Sequence, residues 1–222
     1  MGTSAVPPIG ERLREERVRK GVSARGLARE IGVSASLISQ IETDKSRPSV
    51  STLYAITTAL GISIEDLFDV RDRAEPAAGE LRSSMALARA SSPDAAAAIG
   101  VLGLDRRRRV GPVVQPTERE VLTLDSGVTW ELLGQVPDAH VDFLRITYQP
   151  GGSSSSTGLL MRHSGTEYGH VLSGELILTL GFDEHRLSPG ASVSFDSTTP
   201  HGYRNDGEEP AVGIWFVLES QA

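Results

Sequence analysis

At 222 residues, with 39% hydrophobic and 23% charged residues, the chain is too long for one small module, fits two domains and excludes a wholly disordered polypeptide. It has no cysteine, which excludes a disulfide scaffold, a thiolate metal site and a catalytic thiol, and its most apolar stretch, 95–104, is too short to cross a bilayer, so a soluble, cytoplasmic protein without a membrane partner is expected. A net charge of −7 argues against nucleic acid as a partner, yet residues 1–70 carry nine charges of each sign while 126–222 carry four basic and twelve acidic residues, so the acidity belongs to the C-terminal part.

Residues 1–70 show the apolar spacing of short amphipathic helices: Ile9 and Leu13; Leu27, Ala28 and Ile31; Leu37, Ile38 and Ile41; Leu53, Ile56 and Leu60. Between them, Gly21-Val-Ser23, Gly32-Val-Ser34, Arg47-Pro-Ser49 and Gly61-Ile-Ser63 each pair a helix breaker with a serine placed to cap the next helix, and Ser63 with Asp66 forms the pattern of a capping box. Five helices are predicted, the last short and ending near Phe68. Residues 71–112 shift to Ala, Arg, Ser, Pro and Gly, with the run Arg106 to Arg109, and read as a linker. Over 113–222 the pattern becomes short β-branched stretches: 121–124, 128–133, 141–148, 168–172, 176–180, 192–195 and 211–218. Turn signals such as Asp125-Ser-Gly127, Pro150-Gly-Gly152 and Asn205-Asp-Gly207 separate them, which predicts an antiparallel sandwich or barrel.

In the first domain, the stretch from Gly21 to Glu42 has two short helices joined by a tight turn at Gly32. That geometry lets a second helix enter the major groove while the first crosses the backbone. With Leu37, Ile38 and Ile41 turned inward, Ser34, Ala35, Ser36, Ser39 and Gln40 are left outward, and a glutamine can read adenine bidentately. These residues, followed by Lys45, Arg47-Pro48-Ser49 and a helical pattern through Ile62, resemble the lambda-repressor-like helix-turn-helix of the XRE family over residues 9–68. The resemblance implies base contacts by Ala35, Ser36, Ser39 and Gln40, phosphate contacts by Ser23, Ser34, Lys45 and Arg47, and a structural ion pair between Arg17 and Glu42. The Arg106 to Arg109 run is a further candidate for phosphate contact.

In the second domain, His163, Glu167, His170 and His201 have metal-ligand chemistry. His163 and Glu167 stand at even separation, so in extended structure both point into one cavity, whereas His170 has the opposite parity and is expected to face out. These stretches resemble the two cupin motifs. His163, Glu167 and Gly174 match the first, with Met161 in the place of its leading histidine; Gly190, His201 and Asn205 match the second, with Asp196 and Thr198 replacing its proline and second glycine. The resemblance implies an antiparallel β-barrel (double-stranded β-helix) in which His163, Glu167 and His201 hold one divalent metal, Zn, Fe, Ni or Mn. The alternative is a metal-free pocket in which the two histidines hydrogen-bond an organic effector. Met161, Arg145, Phe195, Tyr203 and Trp215 are candidate pocket walls, together with Trp130, Phe143 and Tyr148, and an inward Arg145 would favour an anionic ligand.

A helix-turn-helix followed by a cupin resembles the bacterial XRE–cupin transcriptional regulators, an α + β two-domain class. The implied function is sequence-specific binding to a double-stranded DNA operator, with the cupin sensing a small-molecule effector and mediating a homodimer whose two reading helices stand about 34 Å apart. The runner-up is an iron-dependent oxygenase resembling hydroxypropylphosphonic acid epoxidase, with the same triad on iron. The outward Ser36, Ser39 and Gln40, and the restriction of lysine to Lys20 and Lys45, argue against it.

Overall fold

Capping serines start three of the four helices. The chain opens with α1 (Ile9–Arg19), α2 (Ala24–Glu30), α3 (Ala35–Glu42) and α4 (Val50–Leu60). Ser23 accepts from the Gly26 N–H, Ser34 from Leu37 and Ser49 from Thr52, so each of α2, α3 and α4 has a first-turn amide satisfied by its capping side chain. Leu13, Leu27, Ile38, Ile41, Leu53, Ile56 and Leu60 turn inward to make the helical core, in the predicted register. The structure describes residues 9–64, 67–68, 113–135 and 141–218. Among them there are four α-helices; the expected short fifth, over 63–68, includes Glu65 and Asp66, which lie outside the described residues. After α4 the Leu67 N–H donates to the Ile64 carbonyl, and Leu67 and Phe68 bury their side chains. Asp66, the predicted linker and the Arg106 to Arg109 run lie outside the described residues.

The second part is all-antiparallel: β1 (Val121–Thr123), β2 (Val128–Gly134), β3 (Val141–Tyr148), β4 (Thr166–Ser173), β5 (Leu176–Leu180), β6 (Asp183–Leu187), β7 (Ser192–Asp196), β8 (His201–Arg204) and β9 (Ala211–Leu218). These strands make two sheets, a six-stranded one ordered β1-β2-β3-β9-β4-β7 and a three-stranded one ordered β6-β5-β8, rather than one closed barrel. The turn signals that predict a barrel serve an open two-sheet arrangement equally well, because closure depends on pairing at the outer strands, which local pattern does not encode. Alternation along β3 and β9 sends Leu144, Ile146, Tyr148, Ala211, Trp215 and Val217 inward. Gly174, in the turn between β4 and β5, has φ +69°, and a Cβ there would lie 2.3 Å from the Pro210 carbonyl oxygen, so this motif glycine is a requirement of the turn. Asn205, the last residue of the second cupin-like motif, is equally structural: its side chain is buried, donates to the carbonyls of Tyr148 and Glu209, and accepts from the Gly207 N–H.

The helical and β parts share one compact unit. The Asp125 N–H donates to the Pro48 carbonyl and the Ser51 N–H to the Ser154 carbonyl, both at 2.9 Å, so the start of α4 is tied to two loops of the β part. Among the described residues no helix is long and apolar enough to cross a membrane.

Candidate functional site

The predicted nucleic-acid face lies on α3. Gly32, at φ +74°, turns the chain between α2 and α3, and Ser34 caps the second helix. Ser34, Ser36, Ser39 and Gln40 are exposed, Ala35 is half-buried, and Ser23, Lys45 and Arg47 are exposed nearby in sequence at the start of α2 and in the loop after α3. Each predicted contact residue therefore has an accessible or partly accessible side chain. The pair Arg17–Glu42 fixes the frame: Nε and Nη2 of Arg17 donate to the two carboxylate oxygens at 2.5 and 2.8 Å, and Nη1 donates to the Val22 carbonyl at 2.7 Å. A two-pronged guanidinium–carboxylate contact holds the C-terminal end of α3 against α1. It also raises the Arg17 pKa, chiefly through the hydrogen bond to Glu42.

The second site lies inside the β part. Glu167 points inward from β4 and His201 from the start of β8, while His163 reaches in from the loop before β4. Their donor atoms lie within 4.8 Å of one another. Nε2 of His163 and Nε2 of His201 each stand 2.8 Å from the same carboxylate oxygen, Oε1 of Glu167. In each imidazole Nδ1 faces a backbone carbonyl, Ser164 at 3.3 Å and Thr199 at 2.8 Å. With Nδ1 on a backbone carbonyl, the other nitrogen of each ring, Nε2, is the one turned to the shared oxygen. Nε2 of His201 is fully buried and makes no hydrogen bond, although the carboxylate is so near. Two imidazole nitrogens and one carboxylate brought this close in a buried site are compatible with the donor set of a divalent cation.

Glu167 is an anion here. Burial alone would push its carboxyl up, but the imidazoles of His163 and His201 beside it outweigh burial and hold it at about 2. Its second oxygen accepts from the Tyr203 hydroxyl at 2.9 Å, and that hydroxyl accepts from Nε1 of Trp215 at 3.2 Å. Burial and the charge of Glu167 push the Tyr203 phenol well up, so it stays a donor. Trp215 reaches this position because β4 and β9 carry glycine beneath it. A Cβ at Gly169 would lie 2.6 Å from the indole, and one at Gly213 2.2 Å.

Of the predicted walls, Tyr203 and Trp215 form this relay, Phe195 meets His201 edge to face at 5.0 Å between ring centres, and Met161 is buried and pairs through its backbone with His201. Arg145 does not line this site. It sits on the outer face of β3, where it pairs with Glu131 of β2 beside a second pair, Arg119–Glu131, because Leu144 and Ile146 take the inward positions on either side. Arg145 therefore offers no cation to an anionic ligand in this site. Phe143 is also outward, stacked on Phe216. His170 is exposed, with Nδ1 on the Ser192 hydroxyl.

One residue of this site was not anticipated. Tyr54 of α4 lies flat on His163, with ring centres 4.1 Å apart and planes 4° from parallel, and its ring also meets Trp130 at 5.7 Å. The only signal in the sequence is that Tyr54 is an aromatic standing outside the Leu53, Ile56, Leu60 stripe of its own helix.

Comparison with known proteins agrees with both halves. Residues 13–67 match a helix-turn-helix family and 144–217 a cupin domain family. The transcriptional regulator PuuR of Escherichia coli K12 is 29% identical over 213 residues, covering 95% of this chain and 92% of that protein. A crystal structure of a helix-turn-helix transcriptional regulator from Vibrio cholerae superposes with a TM-score of 0.59 at 22% identity, covering 96% of each chain. Hydroxypropylphosphonic acid epoxidase from S. wedmorenis superposes at only 0.41, with 18% identity over 98% of this chain and all of that one, too distant to carry an argument. The fold and its two domains define a class: DNA-binding transcriptional regulators with a cupin domain. The chain joins an XRE-type helix-turn-helix domain to a C-terminal cupin domain.

Proposed function

We propose that this regulator binds its operator as a homodimer through Ala35, Ser36, Ser39 and Gln40 at bases and Ser23, Ser34, Lys45 and Arg47 at phosphates. In this reading 1–70 is the reading head, 71–112 a linker and 113–222 a cupin sensor. His163, Glu167 and His201 hold a divalent metal, whose Lewis acidity anchors a small-molecule effector within walls that include Phe195, Tyr203 and Trp215. The observation that carries the sensor reading is the buried His201 Nε2, without a hydrogen bond and 2.8 Å from a carboxylate oxygen that a second imidazole shares. Tyr168, Leu172, Phe216 and Leu218, all exposed on the outer face of the six-stranded sheet, support cupin-to-cupin dimerisation.

Selection of genomic fragments by the purified full chain, repeated with chelator, tests the whole reading. Enrichment of promoter DNA that chelator alters is the expected result. Failure to enrich any promoter sinks the operator reading, and enrichment indifferent to chelator, with no metal retained, sinks the metal.

A further inference from the structure

We infer that Tyr54, a side chain of the DNA-binding domain, is a positioning residue of the cupin metal site, so that loading of the triad and seating of α4 on the cupin are linked. The inference rests on the reading of His163, Glu167 and His201 as metal ligands.

His163 is the ligand least fixed by its own strand. Glu167 lies within β4 and His201 within β8, each in a ladder of backbone hydrogen bonds, whereas His163 sits in the loop before β4. Its Nδ1 contact to the Ser164 carbonyl is also longer than that of His201 to Thr199, 3.3 against 2.8 Å. The face of its ring is set by Tyr54, which is itself buried and braced edge-on by the wholly inward Trp130. A flat stack 4.1 Å between centres fixes the plane of the imidazole, and the plane decides where the Nε2 lone pair points.

A second route joins α4 to the same site. The Ser154 carbonyl accepts from the Ser51 N–H in the first turn of α4, while the Ser154 hydroxyl accepts from the Tyr203 N–H, and the Tyr203 hydroxyl donates to Glu167. Both connections run from one helix to two different ligands. Seating of α4 thus preorganises the triad, and by reciprocity a bound cation holds α4 in its seat.

Calorimetric titration of Zn²⁺ into the full-length protein, and into its Tyr54→Phe and Tyr54→Ala variants, reads this directly. Because the stack needs the ring and not the hydroxyl, Tyr54→Phe should stay within about twofold of the unaltered protein, while Tyr54→Ala should bind about tenfold more weakly, as for loss of a group that orients a ligand. A Tyr54 that serves only packing would lower the melting temperature and leave Zn²⁺ affinity unchanged in the folded variant, and that result overturns the inference. If Tyr54→Ala does not fold, hydrogen exchange on the unaltered protein decides: residues 48–60 should exchange more slowly with Zn²⁺ than without, and lose the difference in His201→Ala. Unchanged exchange across α4 in protein that demonstrably binds Zn²⁺ overturns the inference alone. Absence of binding of Zn²⁺, Fe²⁺, Ni²⁺ and Mn²⁺ to the unaltered protein overturns the metal reading and the inference together.

Discussion

At the scale of single residues, the two sites make different demands on chemistry. Gln40 is exposed on α3 and offers both a donor and an acceptor, the pair needed to read an adenine edge, whereas Arg47 offers only positive charge in the loop that follows. Gln40→Ala is therefore expected to cost about 1–3 kcal/mol on the selected operator and little on unrelated DNA, and Arg47→Ala to weaken all DNA alike and flatten the salt dependence. Fluorescence anisotropy with specific and scrambled duplexes at two salt concentrations separates them. Unchanged discrimination in Gln40→Ala would show that α3 meets the bases in a different register. In the cupin, Tyr203→Phe removes the donor to Oε2 of Glu167 and the acceptor of the Trp215 N–H while keeping the ring. Metal affinity should fall about tenfold, as for loss of a hydrogen-bonded support to a ligating carboxylate, with the fold intact by circular dichroism. Equal Zn²⁺ affinity in the two proteins would remove Tyr203 from the site.

At the scale of elements, α3 is held by a device separable from its DNA face. Arg17 and Glu42 are nearly buried, so Glu42→Ala leaves a guanidinium with one partner in place of two and should cost about 3 kcal/mol, the lower end for breaking a buried pair. Thermal denaturation should show the loss, and operator affinity should recover when measured well below the melting temperature. The elements legible in the sequence were those with strong local signals. Ser23, Ser34 and Ser49 begin three helices because short hydroxyl side chains satisfy first-turn amides in any tertiary setting. β6, Asp183–Leu187, left no such trace: four of its five residues are exposed and three of its first four are Asp, Glu and Arg, so it has no apolar alternation, and it exists because Leu176–Leu180 gives it a ladder. The outward side of Arg145 was readable from Leu144 and Ile146, but the buried Asp142 on the inward side of the same strand blurs the alternation. His163 and Glu167 converge as their spacing implied, yet the route differs, since His163 lies in a loop and not on the strand with Glu167. Tyr54 was out of reach, because its partner is in another domain and nothing local to α4 names it.

At the scale of the whole molecule, a net charge of −7 on a DNA-binding protein is resolved by placement, since the four basic and twelve acidic residues of 126–222 keep the acidity out of the reading head. The same separation poses a problem for control, because a sensor that repels DNA must act through the reading head and not through direct contact with phosphate. The contacts of α4 supply a path that needs no rigid linker: Tyr54 stacks on His163 of the triad, Ser51 reaches Ser154, and α4 follows the Lys45 and Arg47 loop directly. If loading and DNA binding are coupled through this helix, thermodynamics requires the coupling to be the same from either end. Operator affinity measured with and without saturating Zn²⁺, and Zn²⁺ affinity measured with and without saturating operator, should therefore change by one common factor, about 5- to 150-fold for a coupling of about 1–3 kcal/mol. Tyr54→Phe should retain that factor and Tyr54→Ala should bring it towards unity while each ligand still binds alone. A factor of unity in the unaltered protein would mean that α4 carries no signal between the two sites. Unequal factors from the two directions would point to a further equilibrium, such as dimer dissociation, which repeating both titrations at two protein concentrations would expose.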